Sequence, residues 1–174
     1  MTPKEEFKNI IDFFSQRHYP FALVGAYALH AYGYTRATRD VDFLTRIEYQ
    51  NEIVGHLESL GFETLHRSDG YSNHLHTANG SRVDFVYVEG KTADTVLGET
   101  QNRLVMKGLA VPVVSPEHLV ALKLFSITND PGRKLKELAD IREIVQLTGM
   151  EHDTLAKIFN DYGMGEFINE IKES

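Results

Sequence analysis

Three aspartates and one glycine carry most of the chemistry that can be read from this chain. Asp40 and Asp42 stand two apart in Asp40-Val-Asp-Phe-Leu-Thr45, an alternating run that reads as a β-strand. Side chains alternate faces along a strand, so both carboxylates point the same way, about 7 Å apart. Like charges held side by side are unfavourable unless a cation or basic group lies between them. Magnesium takes hard oxygen ligands, commonly one or two carboxylates together with phosphate oxygens, so the pair suits a metal–nucleotide complex. An Asp-x-Asp at a strand start also serves simply as a turn and cap, so its meaning depends on its company. Upstream, Leu23-Val24-Gly25-Ala26 passes from strand into helix; glycine there lets backbone approach a ligand, and helix-start amides attract phosphate. Downstream, Asp84 opens the apolar run Arg82-Val-Asp-Phe-Val-Tyr-Val88. Each feature has a bland reading, but strand–Gly–helix, then Asp-x-Asp, then a lone Asp on a later strand is a specific order.

The elements that must position these residues follow from periodicity and turn signals. Phe7, Ile10, Ile11 and Phe14 recur at helical spacing, giving an amphipathic helix over about 4–18 that Tyr19-Pro20 ends. A buried strand over 21–24 leads through Gly25 into a helix over 26–32, stopped by Gly33, and the acid-bearing strand follows at 40–45. A helix is expected over 49–60 and strands over 62–66, 74–77 and 82–88, with Asp69-Gly70 and Asn79-Gly80 as turns. A short pair over 103–107 and 109–114 follows. From Pro116 the pattern is helical, at about 116–127, 134–148, 152–162 and 165–172. No internal repeat or low-complexity segment is present. The expected division is an α/β core over 1–114 and a helical part over 115–174.

Bulk properties narrow the class. With 174 residues, 42% hydrophobic and 25% charged, the composition is that of an ordinary globular protein. The absence of cysteine removes disulfides, thiolate zinc sites and cysteine nucleophiles, and suits a reducing, cytoplasmic setting. Neither a secretory signal nor a membrane-spanning run is visible, so no membrane partner is expected. The net charge of −7 repels long nucleic acid, leaving a nucleotide or a short RNA end held by local positive charge and a metal. There is no Ser/His/Asp nucleophile elbow, no Walker-type loop and no zinc-protease helix. His74 and His76 share a strand face but lack a third metal ligand at recognisable spacing.

Val24-Gly25-Ala26-Tyr27-Ala28-Leu29-His30-Ala31-Tyr32-Gly33, followed by Arg36-Ala-Thr38-Arg39-Asp40-Val41-Asp42-Phe43-Leu44 and Arg82-Val-Asp84-Phe, resembles the nucleotidyltransferase superfamily of the DNA polymerase β kind. Within it the chain is most similar to the AbiEii toxins and related small bacterial nucleotidyltransferases. The resemblance continues through Ser115-Pro116-Glu117-His118-Leu119, Lys123, Arg133 and Lys136-Glu137-Leu138-Ala139-Asp140-Ile141, covering about residues 20–145. It implies an α+β fold, a mixed sheet flanked by helices with a C-terminal helical part closing one side of a cleft. The implied activity moves a nucleoside monophosphate from a nucleoside triphosphate (NTP) to an acceptor, using two magnesium ions, or manganese in their place. In that scheme Asp40, Asp42 and Asp84 are the metal ligands, and Asp84 helps deprotonate the acceptor. Gly25 and the amide of Ala26 hold phosphates, Lys123 neutralises the triphosphate, and Asp140 positions Lys123 or the base. Two departures stand out: Ala26 replaces a serine or glycine common in the family, and the family's Lys-Asp pair is Lys136-Glu137 here.

The basic residues admit two roles each. Arg36 and Arg39 flank the acid pair, either relieving its repulsion or contacting nucleotide (Arg39) and acceptor (Arg36). Arg133, Lys134 and Lys136 begin a helix, where positive charge opposes the helix dipole, so they are either solvated or bind a phosphate-bearing acceptor. Three functional readings follow: an enzyme modifying RNA or tRNA, with a cognate antitoxin as partner; a small-molecule enzyme of the aminoglycoside adenylyltransferase type; or a catalytically silent nucleotide-binding or antitoxin-like module.

Overall fold

The computed structural model describes residues 1–106 and 108–172. Its sheet is built around Phe21–Val24 (β1), whose four side chains are all buried, as expected of a strand covered on both faces. β1 pairs antiparallel with Asp40–Arg46 (β2) and parallel with Leu109–Val113 (β7). β2 pairs parallel with Arg82–Val88 (β5), and Tyr71–His76 (β4) and Phe62–Arg67 (β3) extend that side antiparallel. Gln101–Met106 (β6) closes the other edge, so the sheet is mixed, with order β3-β4-β5-β2-β1-β7-β6.

Alternation along β2 sends Val41 and Phe43 to one face and Asp40, Asp42 and Leu44 to the other. The first face is covered by Pro3–Arg17 (α1), whose Phe7 and Phe14 rings lie 5.8 and 6.3 Å from that of Phe43. Thr2 and Glu5 form a capping box at the start of α1, and His18 ends it in a left-handed conformation, φ 56°, before Pro20 is reached. Gly25–Ala31 (α2) leaves the end of β1, and Gln50–Ser59 (α3) follows a 3₁₀ turn at Ile47–Tyr49. On the second face, Leu44 meets Gly90–Gly98 (α4) and Pro116–Asn129 (α5) around a cavity of about 350 Å³. Lys134–Thr148 (α6), His152–Asp161 (α7) and Ile168–Lys172 (α8) pack behind α5. One apolar cluster runs from Phe7 through the sheet to Ile171, so the C-terminal helices share their core with the strands.

The order of elements matches the sequence reading, with local differences. β4 begins at Tyr71 rather than residue 74, because Ser68 and the turn at Asp69-Gly70 pair Tyr71 back into the hairpin. α4 was not expected: it buries only Ala93 and Val96, too few to make an apolar stripe. The strand expected over 103–107 lies at Gln101–Met106, and Lys107 is outside the described residues, as are residues 173 and 174 of the helical part expected over 115–174. Among the described residues no helix is long and apolar enough to cross a membrane.

Candidate active site

β2 and β5 run parallel with Asp42 directly opposite Asp84 and Asp40 opposite Arg82. Register partners on neighbouring strands share a face, so the carboxylates of 42 and 84 stand together, with Asp40 one pleat away. Burial pushes the Asp42 pKa up to about 7, with Asp84 and Asp40 adding to the rise and Lys123 and Arg36 partly opposing it. Burial also raises Asp84; a hydrogen bond from Asn73 works against that rise, and Asp40 adds to it. Without a cation, therefore, this corner holds its carboxylates at an energetic cost.

The glycine belongs to the same corner. Val24 pairs with Asp42 across β1 and β2, and Gly25 turns the chain there at φ 62°. A Cβ on Gly25 would collide with the Asp42 carboxylate. Two constraints thus select glycine, the left-handed backbone and the close approach. Ala26 is buried, so only its backbone amide remains to offer a ligand.

Lys123 on α5 reaches this corner from the helical side. Its stem lies on the apolar face as its spacing suggests, but the ammonium does not snorkel to water. It donates to Asp140 Oδ2 at 2.6 Å and Glu137 Oε2 at 2.8 Å, and all three groups are buried. Arg36 reaches Asp140 Oδ2 from the α2–β2 loop at 3.3 Å, and Arg133 donates twice to Glu137 Oε1, at 2.9 and 2.7 Å. Burial would raise Glu137, but Lys123 and Arg133 outweigh it and hold its pKa below the ordinary value. Three cations thus surround two carboxylates, and of the three Lys123 and Arg36 act on Asp42. The buried Arg36 Nε has no hydrogen-bond partner among the described residues, and His30 Nε2 holds the loop through the Arg36 carbonyl at 2.8 Å.

The structure therefore gathers Gly25, Asp40, Asp42, Asp84, Lys123, Asp140 and Arg36. Arg133 is tied to Glu137 on the far side of the ionic cluster, Lys136 is exposed on α6, and Lys134 pairs with Glu170 at 3.1 Å. Arg39 points away, lining a cavity against α1 on the opposite face of the sheet. His74 and His76 do share a face, but both are buried. His74 lies between Ser72 Oγ at 2.8 Å and Thr64 Oγ1 at 3.1 Å, and burial, reinforced by Arg67, lowers its pKa to about 4.

These features coincide with a family. The model of the nucleotidyl transferase AbiEii toxin family, type IV toxin–antitoxin system, matches residues 13–166. The chain belongs to the AbiEii nucleotidyltransferase family. Among solved structures, the solution structure of the antibiotic-resistance factor ANT(2'')-Ia matches with TM-score 0.72 at 16% identity, over 94% of this chain and 92% of that one. The crystal structure of ANT(2'')-Ia with adenylyl-2''-tobramycin gives 0.70 at 16%, over 91% and 95%. The lincomycin-bound lincosamide adenylyltransferase LnuA gives 0.58 at 18%, over 84% and 98%. These likenesses bear on the fold, which is the mixed α/β sheet expected. A comparison with curated sequences gives no match.

Sequence reasoning passed over two residues at the AbiEii site. Asn73 sits opposite Asp84 on β4, a position that counting back across the Asn79-Gly80 turn would have given. Glu137 was seen only as a departure from a family acid, yet it too holds Lys123, at 2.8 Å against 2.6 Å for Asp140; its i,i+4 spacing from Arg133 was the available sign.

Proposed function

We propose that this AbiEii-family nucleotidyltransferase is magnesium-dependent and moves a nucleoside monophosphate from an NTP to a hydroxyl at the end of an RNA. The observation that carries the reading is Asp42 in register with Asp84, beside Gly25 and facing the Lys123 cluster. The fit to a divalent ion rests on donor chemistry: hard carboxylate oxygens whose mutual repulsion a cation would relieve. Among the described residues no three acidic or histidine side chains stand together as a complete ion cage, so phosphate oxygens would have to complete the coordination. Asp40, Asp42 and Asp84 would hold it. When bound, magnesium supplies positive charge at the attacking and leaving oxygens.

The chain's own residues do the rest. The turn at Gly25 brings backbone close to the Asp42 carboxylate, where its amides would meet the triphosphate, and Lys123 and Arg36 bring positive charge to it, Lys123 oriented by Asp140 and Glu137. Asp84 takes the acceptor's proton as its oxygen bonds to the α-phosphorus and the bond to the β-phosphate oxygen breaks, releasing pyrophosphate. Asn73 steadies the Asp84 carboxylate from the neighbouring strand. The family's description as a toxin supports a cognate antitoxin as protein partner.

A second reading, transfer to a cationic antibiotic, is favoured by the net charge of −7 and by the fold shared with ANT(2'')-Ia. Labelled NTPs offered with total RNA, and separately with an aminoglycoside panel, decide between them. The proposal expects label on RNA that is lost in Asp42→Asn and Asp84→Asn; label on the antibiotic alone refutes the RNA acceptor, and no transfer at all favours a silent module.

A further inference from the structure

The residues first considered for gripping a phosphate-bearing acceptor are mostly occupied. Arg36 is paired with Asp140 and Arg133 with Glu137. Three other cations are not: among the described residues Lys4, Arg39 and Arg82 form no ion pair. Lys4 and Arg39 line a cavity of about 610 Å³ between α1 and the starts of β2 and β5, and Arg82, which strand register puts with Asp40 and Asp84 and whose charge works against the rise in the Asp84 pKa, borders that cavity at the strand end. The one carboxylate in its wall, Glu6, is buried and accepts a 2.5 Å hydrogen bond from Asn79 Nδ2, with His76 Nε2 at 3.6 Å. It is thus engaged inward. Tyr27, Val41 and Val83 give the floor an apolar and aromatic character.

Position matters more than size. Arg39 immediately precedes Asp40, and Arg82-Val83 immediately precede Asp84. The cavity therefore adjoins the catalytic corner around the ends of the same two strands, one residue away along each, although it lies on the opposite face of the sheet. A ligand crossing the strand ends would be in both places. A free nucleotide in the catalytic corner has no need of this second positive site, whereas a chain of phosphates leaving that corner does.

We infer that this cavity receives the backbone of a short single-stranded RNA whose terminal hydroxyl lies at Asp84, with Lys4, Arg39 and Arg82 on successive phosphates and Tyr27 beneath a base. The inference rests on the RNA reading above and adds where the acceptor runs. The overall charge of −7 confines RNA binding to such a local site. A polycationic antibiotic would be repelled by the same three side chains.

The test measures binding of a labelled 3′-hydroxyl oligoribonucleotide by fluorescence anisotropy across salt concentrations, and of magnesium–NTP separately by calorimetry. Three phosphate contacts predict a slope of log affinity against log salt of about −2 for the wild type, reduced to about −0.7 in the double variant Lys4→Ala with Arg39→Ala. Lys4→Ala alone, remote from the aspartates on the first turn of α1, should weaken RNA several-fold and leave NTP affinity unchanged. Unaltered RNA affinity and slope in the double variant overturn the inference. A wild type that binds NTP and labels an aminoglycoside but not RNA also overturns it, while leaving the transferase reading intact. A wild type that binds no magnesium–NTP sinks that underlying reading as well.

Discussion

Replacing Asp42 by asparagine should stabilise the metal-free protein, and only at high pH. The folded pKa of Asp42, about 7, lies above its ordinary value of 3.8, so folding favours the protonated acid. The sign follows: relative to the unfolded chain, this residue costs little below about pH 3.8, and the cost grows until pH passes 7. The displacement from 3.8 to about 7 corresponds to about 4 kcal/mol at full strength. Relaxation of the surroundings moderates so large a shift, so about 2–4 kcal/mol is the expected range at pH 8. Asparagine keeps the shape and removes the charge. Urea unfolding in chelator should therefore give Asp42→Asn a higher midpoint than the wild type at pH 8 and nearly the same midpoint at pH 4. Magnesium should then raise the wild-type midpoint at pH 8 more than that of the variant. Equal stability of the two proteins at pH 8, or the same gain at both pH values, would refute the idea that charge repulsion is stored in this corner.

Other substitutions probe the neighbours. Gly25→Ala adds a Cβ against the Asp42 carboxylate in a left-handed turn, so it should cost at least about 1–2 kcal/mol by urea unfolding and abolish nucleotide binding by calorimetry; wild-type values for both would contradict the geometry. Lys123→Met strands the buried Glu137 and Asp140 and should destabilise by about 3–5 kcal/mol, whereas a loss below about 1 kcal/mol would mean the ion cluster is solvated. His74, lowered from 6.5 to about 4, contributes stability that is present above pH 6.5 and is lost as pH falls toward and through 4, about 3 kcal/mol in all. Its ring resonances should show no titration near pH 6.5; a midpoint there would overturn the buried, neutral assignment.

The acid pair and its partner were legible because strand chemistry is local. An alternating run fixes which side chains share a face, and Asp40, Asp42 and Asp84 needed only the pairing of their strands to meet. Gly25 was legible for the same reason, though not the contact with Asp42 that makes it necessary. What the sequence did not disclose is pairing across elements far apart in the chain. The spacing of Lys123 on α5 told only of a stem on an apolar face; its place at the triphosphate and its link to Asp140 came from the family resemblance, and nothing local announces that Glu137 holds it too. The basic start of α6 read as one surface cluster, but packing divides it: Arg133 turns to Glu137, Lys134 lies over Phe167 and pairs with Glu170, and Lys136 stays exposed. Arg39 precedes Asp40, yet it shares a cavity with Lys4 on the other face because α1 folds back across the sheet, whereas Arg82, in register with Asp40, only borders that cavity. α4 escaped notice for want of an apolar stripe.

The most direct test of the account is transfer of the labelled α-phosphate of an NTP to RNA in the presence of magnesium, comparing wild type with Asp84→Asn and Asp42→Asn. The account predicts labelled RNA and equimolar pyrophosphate with the wild type, and at least about a hundred-fold less with either variant folded as well as the wild type. Transfer that survives either substitution at the wild-type rate would contradict it.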